Sequence, residues 1–402
     1  MATPPDATTV VDSSPGVRPQ WPLPLLITLS VGVCLSVTTE LLPTGVLPAM
    51  SRELGVTEGT LGILVTAYAL MVAVFAAPLT VATARFPRRS LLIATLLGYN
   101  VSNLVMVVAT VYPVALAARL AGGVMHGLFW GMLGGYVARL VAPERVGRAL
   151  TITSAGGVGA TLIAVPAGTA VSTVIGWRGA FGLLTALGLI VTAVAWRMLP
   201  NLPGRAATER VRMLAVLRTP GLVGLVATTT TVILGHFSFY TYIAPFLLSA
   251  GVPEERIGLA LLVYGAMGVV GLLTAGIVID RHLRASMVTA AVALCACFLV
   301  LSFGAHSTVL AVVFIAGTGV VLGSLPIFMQ AAVLRIAPRH AETASALNAS
   351  AFNIGIGGGA LLGGVVVDGF GPGMLPILAA GLAAVGVLAI VLDRRVGTFA
   401  QT

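Results

Sequence analysis

The chain contains no lysine in its 402 residues, only three cysteines, and no more than 9% charged residues. An ordinary soluble domain carries about a quarter, so this composition excludes one. Cys34, Cys295 and Cys297 each stand in an apolar run without a partner pattern, so neither a disulfide framework nor a metal site is expected. P-loop, metal-ligand and catalytic-triad patterns are all missing. ATP-driven pumping and covalent enzyme chemistry therefore lack the residues to perform them, and no cofactor is expected. Residues 1–21 lack the basic region and cleavage site of a secretory signal; polar and Pro-rich, they read as a disordered cytoplasmic tail.

What the chain has is apolar length: 58% of residues are hydrophobic and the mean hydropathy is +1.05. Runs of about 18 residues or more can cross a bilayer as helices. Twelve are predicted, at 22–48, 59–82, 90–110, 113–138, 149–172, 177–199, 221–248, 256–279, 285–304, 308–334, 343–366 and 373–392. The fold class is an all-α membrane protein of two six-helix halves, 22–200 and 221–393. A cytoplasmic linker at 201–220 joins them, and a cytoplasmic tail at 394–402 follows. Within the linker, Val211, Leu214 and Leu217 oppose Arg210, Arg212 and Arg218, the pattern of a helix lying along the interface. Trp21, Trp177 and Trp196 fall at span ends, as an aromatic belt requires.

The net charge of +9 suggests nucleic acid until its distribution is read. All 22 basic residues are arginine. Eighteen fall on one side of the predicted topology, three (Arg52, Arg178, Arg256) on the other, and Arg119 lies inside a span. That asymmetry is the positive-inside rule, with both termini in the cytoplasm. It points to a lipid bilayer as the partner and away from nucleic acid.

The chain also matches itself. Tyr68 answers Tyr264, Arg85 answers Arg281 and Arg88 answers Arg284, each 196 residues apart. Ala121-Gly122 answers Ala316-Gly317, and Ala142-Pro143 answers Ala337-Pro338, at 195. A duplicated unit is the internal symmetry that many transporters carry. Glycine is dense in spans five and eleven, where Gly159, Gly168, Gly355 and Gly359 accompany Pro166. Small residues let helices approach closely in lipid. Those two helices are expected to face each other near the axis and to bend during a transport cycle.

GIVIDRHLR at 276–284 resembles the loop motif G-x-x-x-D-R-x-x-R of the major facilitator superfamily, in which the acid and arginines latch neighbouring helices on the cytoplasmic side. Carried over, the resemblance gives Gly276, Asp280, Arg281 and Arg284 that role. In the first-half copy Arg85 and Arg88 remain, while Thr80 and Ala84 replace the glycine and the acid. AARLAGG, with Arg119 and Gly122, resembles the fourth-span motif of the family. TTELLPTGVLP, HGLFWG, GWRGAF, FSFYTYIAPFL and SALNASAFNIG are similar to the twelve-span drug:proton antiporters, particularly bacterial exporters of sugars, purine nucleosides and chloramphenicol. In the fifth-span antiporter motif, Thr161 and Val165 stand at glycine positions around Pro166. The resemblance covers residues 22–392. It implies alternating access, with protons and a small molecule as partners; a monomer is expected. Arg-rich, lysine-free composition points to a bacterial source, and so to a bacterial plasma (inner) membrane.

Two formal charges lie well inside the spans, and ionisable groups there are functional candidates because leaving them in lipid is costly. If span one ends near Pro48, Glu40 lies about 12 Å below the outer surface, and Arg119 about 9 Å below it in span four. Burial favours the neutral carboxyl and the guanidinium favours the charged one, so a change in their separation would load or release a proton. Glu40 is the expected proton carrier and Arg119 its electrostatic switch; a static ion pair is the other reading. His236 stands 196 residues from Glu40, and His126 lies about 20 Å deep in span four. Either could titrate, or simply bond a neighbouring helix. Substrate contact is expected from Asn103, Phe129, Trp130, Phe237, Tyr240, Tyr242, Gln330, Asn348 and Asn353, since aromatics with a few amides suit a neutral amphipathic ligand. The predicted activity is export of a small drug-like molecule or metabolite in exchange for protons. Two alternatives stand: a proton symporter or facilitator importing a sugar or nucleoside, and a transport-dead membrane sensor.

Overall fold

A computed structural model describes residues 22–204, 216–304 and 307–392; the side chains of Asp280, Arg281, Arg339 and Glu342 lie outside the described set. The amphipathic stretch of the linker, Arg210, Val211, Arg212 and Leu214 included, also falls outside it.

Among the described residues the chain is helix after helix. In lipid this is the arrangement that satisfies every backbone group without water. The first half comprises α1 (Leu23–Leu54), α2 (Glu58–Ala82), α3 (Arg88–Val108) and α4 (Tyr112–Ala138), then α5 (146–175) and α6 (177–198). The second comprises α7 (Leu222–Tyr240, resuming at Ile243–Ser249), α8 (254–281), α9 (283–304), α10 (Thr308–Ile336), α11 (Ala341–Phe370) and α12 (Leu375–Leu392). The chain turns from α5 to α6 at Gly176 (φ 74°, ψ 163°) and from α8 to α9 at His282 (φ −139°, ψ 43°).

Three local features depart from the expected spans. First, α1 does not stop near Pro48 but runs six residues further, to Leu54, ending where Gly55 turns left-handed at φ 64°. A proline inside a helix forfeits one backbone bond, which packed neighbours can replace. Second, α5 contains a π-helical turn at Ala160–Ala164, directly before Pro166. Third, α7 breaks at Thr241 and Tyr242.

Trp177 also departs from expectation. It is wholly buried, edge-on to Phe181 and capped by the Arg178 guanidinium 4.2 Å from its ring. The tight Gly176 turn directs it inward. Trp196 is exposed.

The two halves repeat the same pairings: α1 with α5 and α6, α2 with α4, α3 with α6, and correspondingly α7 with α11 and α12, α8 with α10, α9 with α12. The halves meet along two main seams, α2 with α11 and α8 with α5. The expectation that α5 and α11 face each other is therefore corrected. Each glycine-rich helix packs within its own half, Gly168 against Leu42 of α1 and Gly355 and Gly359 against α7, while its other side meets the opposite half. Gly159 sits near Cys34, and the Pro166 carbonyl faces Gly258 of α8.

At Gly265 of α8 a methyl group would collide with the Thr161 carbonyl in the π turn of α5. Gly265→Val is accordingly expected to lower the melting temperature by several degrees, read by thermal shift in detergent, because backbone cannot yield as a flexible side chain would.

Among the described residues the seams are closed at one end only. Cross-half hydrogen bonds and close glycine contacts gather toward the α1–α2, α7–α8 and α11–α12 connections: Thr66 to Gly357 O (2.9 Å), Tyr242 to Gly59 O (3.4 Å), and Arg52 to Glu254 (2.9 Å). Toward the other end α2 has no buried residue beyond Val72.

Candidate functional site

Where α1 ends decides which group Glu40 meets. Measured from Leu54, Glu40 lies 14 residues in, about 21 Å. His126 lies 14 residues from Tyr112, the start of α4 at the same end, so the two are at one depth. Glu40 Oε2 is 3.6 Å from His126 Nε2 and both residues are buried.

Arg119 is two turns nearer that end and is fully buried. Its hydrogen bonds go to backbone carbonyls and not to the Glu40 carboxylate. Nη1 instead donates to Thr39 O at 2.6 Å and Nη2 to Glu40 O at 2.9 Å, while the guanidinium stacks 4.0 Å over the Tyr68 ring. The reason lies four residues along α1. Pro43 has no N–H to give Thr39 O, and Arg119 supplies the missing donor. The expected Glu40–Arg119 side-chain pair is thus replaced by a clamp on the backbone of the same turn. The cation still sits one residue's width from the acid.

A polar cluster continues from His126. Its Nδ1 is 2.9 Å from Tyr68 Oη and 3.3 Å from Ser36 Oγ. Ser36 in turn accepts from Tyr99 Oη and from Trp130 Nε1, each at 3.2 Å. Nδ1 thus faces the two hydroxyls while Nε2 faces the Glu40 carboxylate. Trp130 is 38% exposed. On α4 it lies about 160° round from the outward-facing Val114, so its open face looks toward the bundle interior. Asn103 donates to Thr39 Oγ1 at 3.0 Å, tying α3 to the same turn of α1. In the sequence Tyr68 stands out only through its repeat partner Tyr264, and nothing there marks Ser36 or Tyr99.

The second half carries a partial echo. Tyr264, the counterpart of Tyr68, has its hydroxyl 3.1 Å from His236 Nε2. His236, the counterpart of Glu40, stacks with Tyr240 and Tyr264 and is edge-on to Phe237, all buried. Its Nδ1 has no hydrogen-bond partner among the described residues. Tyr240 reaches toward Thr44 of α1 in the other half.

The remaining expected substrate contacts are dispersed. Phe129 packs on Tyr99 in the first-half core. Tyr242 is buried in the α2–α11 seam, donating to Ala360 O at 2.7 Å. Asn348 accepts from Thr229 at 2.8 Å and Gln330 donates to Ser345 at 2.7 Å, each joining second-half helices. Asn353 is exposed and bonds its own helix at Ala349 O.

At the other end, the described contacts of the expected latch residues Arg85, Arg88 and Arg284 stay within their own half or reach the linker. Arg88 N–H donates to Leu202 O, and Arg85 stacks on Phe86. Arg89 donates to Trp196 O, and Arg284 donates to Val391 O. Gly276 is exposed; what Asp280 and Arg281 contact lies outside the described residues.

The sequence of the chain matches the Major Facilitator Superfamily over residues 29–271 and 225–398. The chain belongs to that superfamily. It is a multi-pass membrane transporter and not an enzyme. Its facilitator relatives include a protein named "Probable sugar efflux transporter" from Helicobacter acinonychis (strain Sheeba), 30% identical over 88% of this chain and 90% of the relative. Another of the same name, from Pasteurella multocida (strain Pm70), is 27% identical over 91% of each. Among solved facilitators, the nucleoside transporter NupG superposes with a TM-score of 0.74 at 14% identity, covering 92% of this chain and 99% of that one. A bacterial homologue of the human lysosomal transporter Spinster, inward-facing and occupied, gives 0.67 at 18%, over 91% and 93%. At such identities these two establish the fold alone.

Proposed function

We propose that the protein is a proton-coupled exporter of a small neutral molecule, working as a monomer by alternating access in a bacterial plasma membrane. The observation that carries this is the buried Glu40 carboxylate, 3.6 Å from His126 and beside an arginine fixed to its own turn, on the helices that present Trp130 to the interior. An acid so placed can hold a proton or share its charge with its neighbours, and a small shift of α1 against α4 changes which. Glu40 is the proton carrier, with Arg119 and His126 setting its charge state; His236, with its free Nδ1, is the site to which a proton could pass in the second half.

Orientation follows from the arginine asymmetry. With both termini in the cytoplasm, the closed end of the seams is outside and the splayed end inside. Cargo would enter from the cytoplasm, as export demands. Sugars head the candidate substrates, since relatives bear that name and the Trp130 face beside Ser36 and Tyr99 suits a ring rich in hydroxyls; neutral drug-like molecules come next.

In inside-out vesicles an acid interior should drive uptake of the substrate sugar, and a protonophore should stop it. Uptake that ignores the protonophore, or is driven by an alkaline interior, would rule out exchange. Trp130→Ala should raise the concentration for half-maximal transport about tenfold, corresponding to loss of one aromatic contact of about 1.4 kcal/mol. An unchanged value would remove Trp130 from the binding surface.

A further inference from the structure

The seam between α2 and α11 is fastened by one acid. Asp368, in the last turn of α11, reaches across to the start of α2: Oδ2 accepts from Thr57 Oγ1 at 2.6 Å and Oδ1 from the Gly59 N–H at 2.9 Å. Thr57 is the N-cap of α2, and Gly59 lies in its first turn, where N–H groups lack helical partners and the helix dipole favours negative charge. One half of the molecule therefore supplies an N-terminal cap to the other. The fit is tight, because a methyl group on Gly59 would meet the Asp368 carboxylate and the Gly364 carbonyl at 2.5 Å. Tyr242 fills the layer beneath.

The duplication supplies an internal comparison. The α5–α8 seam is the counterpart of α11–α2, and Thr173 stands 195 residues before Asp368. Thr173 Oγ1 donates to Ala170 O of its own helix at 2.8 Å. The acidic fastening is thus a feature of one seam and not of the other.

We propose that Asp368 is a gate-positioning residue that holds this end of the two halves together and must release Thr57 and Gly59 once in each transport cycle. Charge-assisted hydrogen bonds are strong enough to bias a two-state equilibrium, and at an exposed site they are weak enough to break. Motion of the two halves is all this requires, so it holds whether or not protons drive transport.

The test uses the full chain in liposomes, with Cys34, Cys295 and Cys297 replaced by alanine and spin labels on Val174→Cys and Val309→Cys. These positions are 84% and 71% exposed at this end, on opposite halves. Pulsed electron resonance should show Asp368→Ala shifting the ratio of short to long distances about tenfold toward long. Asp368→Asn, which keeps an acceptor but no charge, should fall between, and Thr173→Ala should match the parent. A label pair within the first half, Val101→Cys with Val174→Cys, reports whether that half stays folded. Should the alanine variant broaden this internal pair, Asp368→Asn decides. Unchanged distances in both Asp368 variants, or an equal shift from Thr173→Ala, would overturn the proposal.

Discussion

Replacing Glu40 with glutamine is expected to bring the steady-state substrate gradient to unity while substrate counterflow continues. Glutamine keeps the size and hydrogen-bonding reach of the acid but cannot exchange a proton. With exchange of one proton, a pH difference of one unit supplies about 1.4 kcal/mol, enough for about a tenfold substrate ratio. Without proton exchange no such work is available, yet the two halves can still move and carry substrate downhill. Measuring the accumulation ratio in vesicles at a fixed pH difference, alongside counterflow at none, separates the two. A tenfold ratio retained in Glu40→Gln would move the proton to His126 or His236.

The second large effect concerns Arg119 and Pro43 together. Arg119→Leu leaves the Thr39 carbonyl without a donor, because Pro43 cannot supply one. A buried acceptor left unpaired costs about 1–3 kcal/mol. Restoring the backbone N–H with Pro43→Ala should return at least half of that loss, so the double variant is more stable than Arg119→Leu alone. Arg119→Lys should rescue less, since one ammonium cannot span two carbonyls as the guanidinium fork does. Thermal unfolding of the four combinations gives the coupling. Strict additivity would mean that Arg119 is held for its charge and not for the helix backbone.

Much of the fold could be read from sequence, because twelve apolar runs separated by polar punctuation leave few alternatives in a bilayer and the repeat offset pairs their members. The site was legible at the level of its members: Glu40, Arg119 and His126 stand out as polar residues in spans that otherwise exclude them. Their partnership was not. It depended on where α1 ends, and Pro48 looked like a stop although a membrane helix tolerates the single bond it loses. Shortening α1 raised Glu40 to the depth of Arg119, when the full helix places it level with His126. Ser36 and Tyr99 were hidden for a different reason: neutral hydroxyls are common in spans, and only three-dimensional convergence marks them. The π turn of α5 and the cross-half cap by Asp368 are properties of two helices in register, which neither segment carries alone.

In the proposed cycle substrate moves against protons through Glu40. The most direct test is internal pH in proteoliposomes carrying a pH-sensitive dye, with potassium and valinomycin holding the membrane potential at zero, after a sugar gradient is imposed. Sugar leaving the lumen should acidify it in the wild type, with no pH change in Glu40→Gln. Alkalinisation during sugar exit would rule out exchange, and an unaltered acidification in the variant would rule out Glu40 as the carrier.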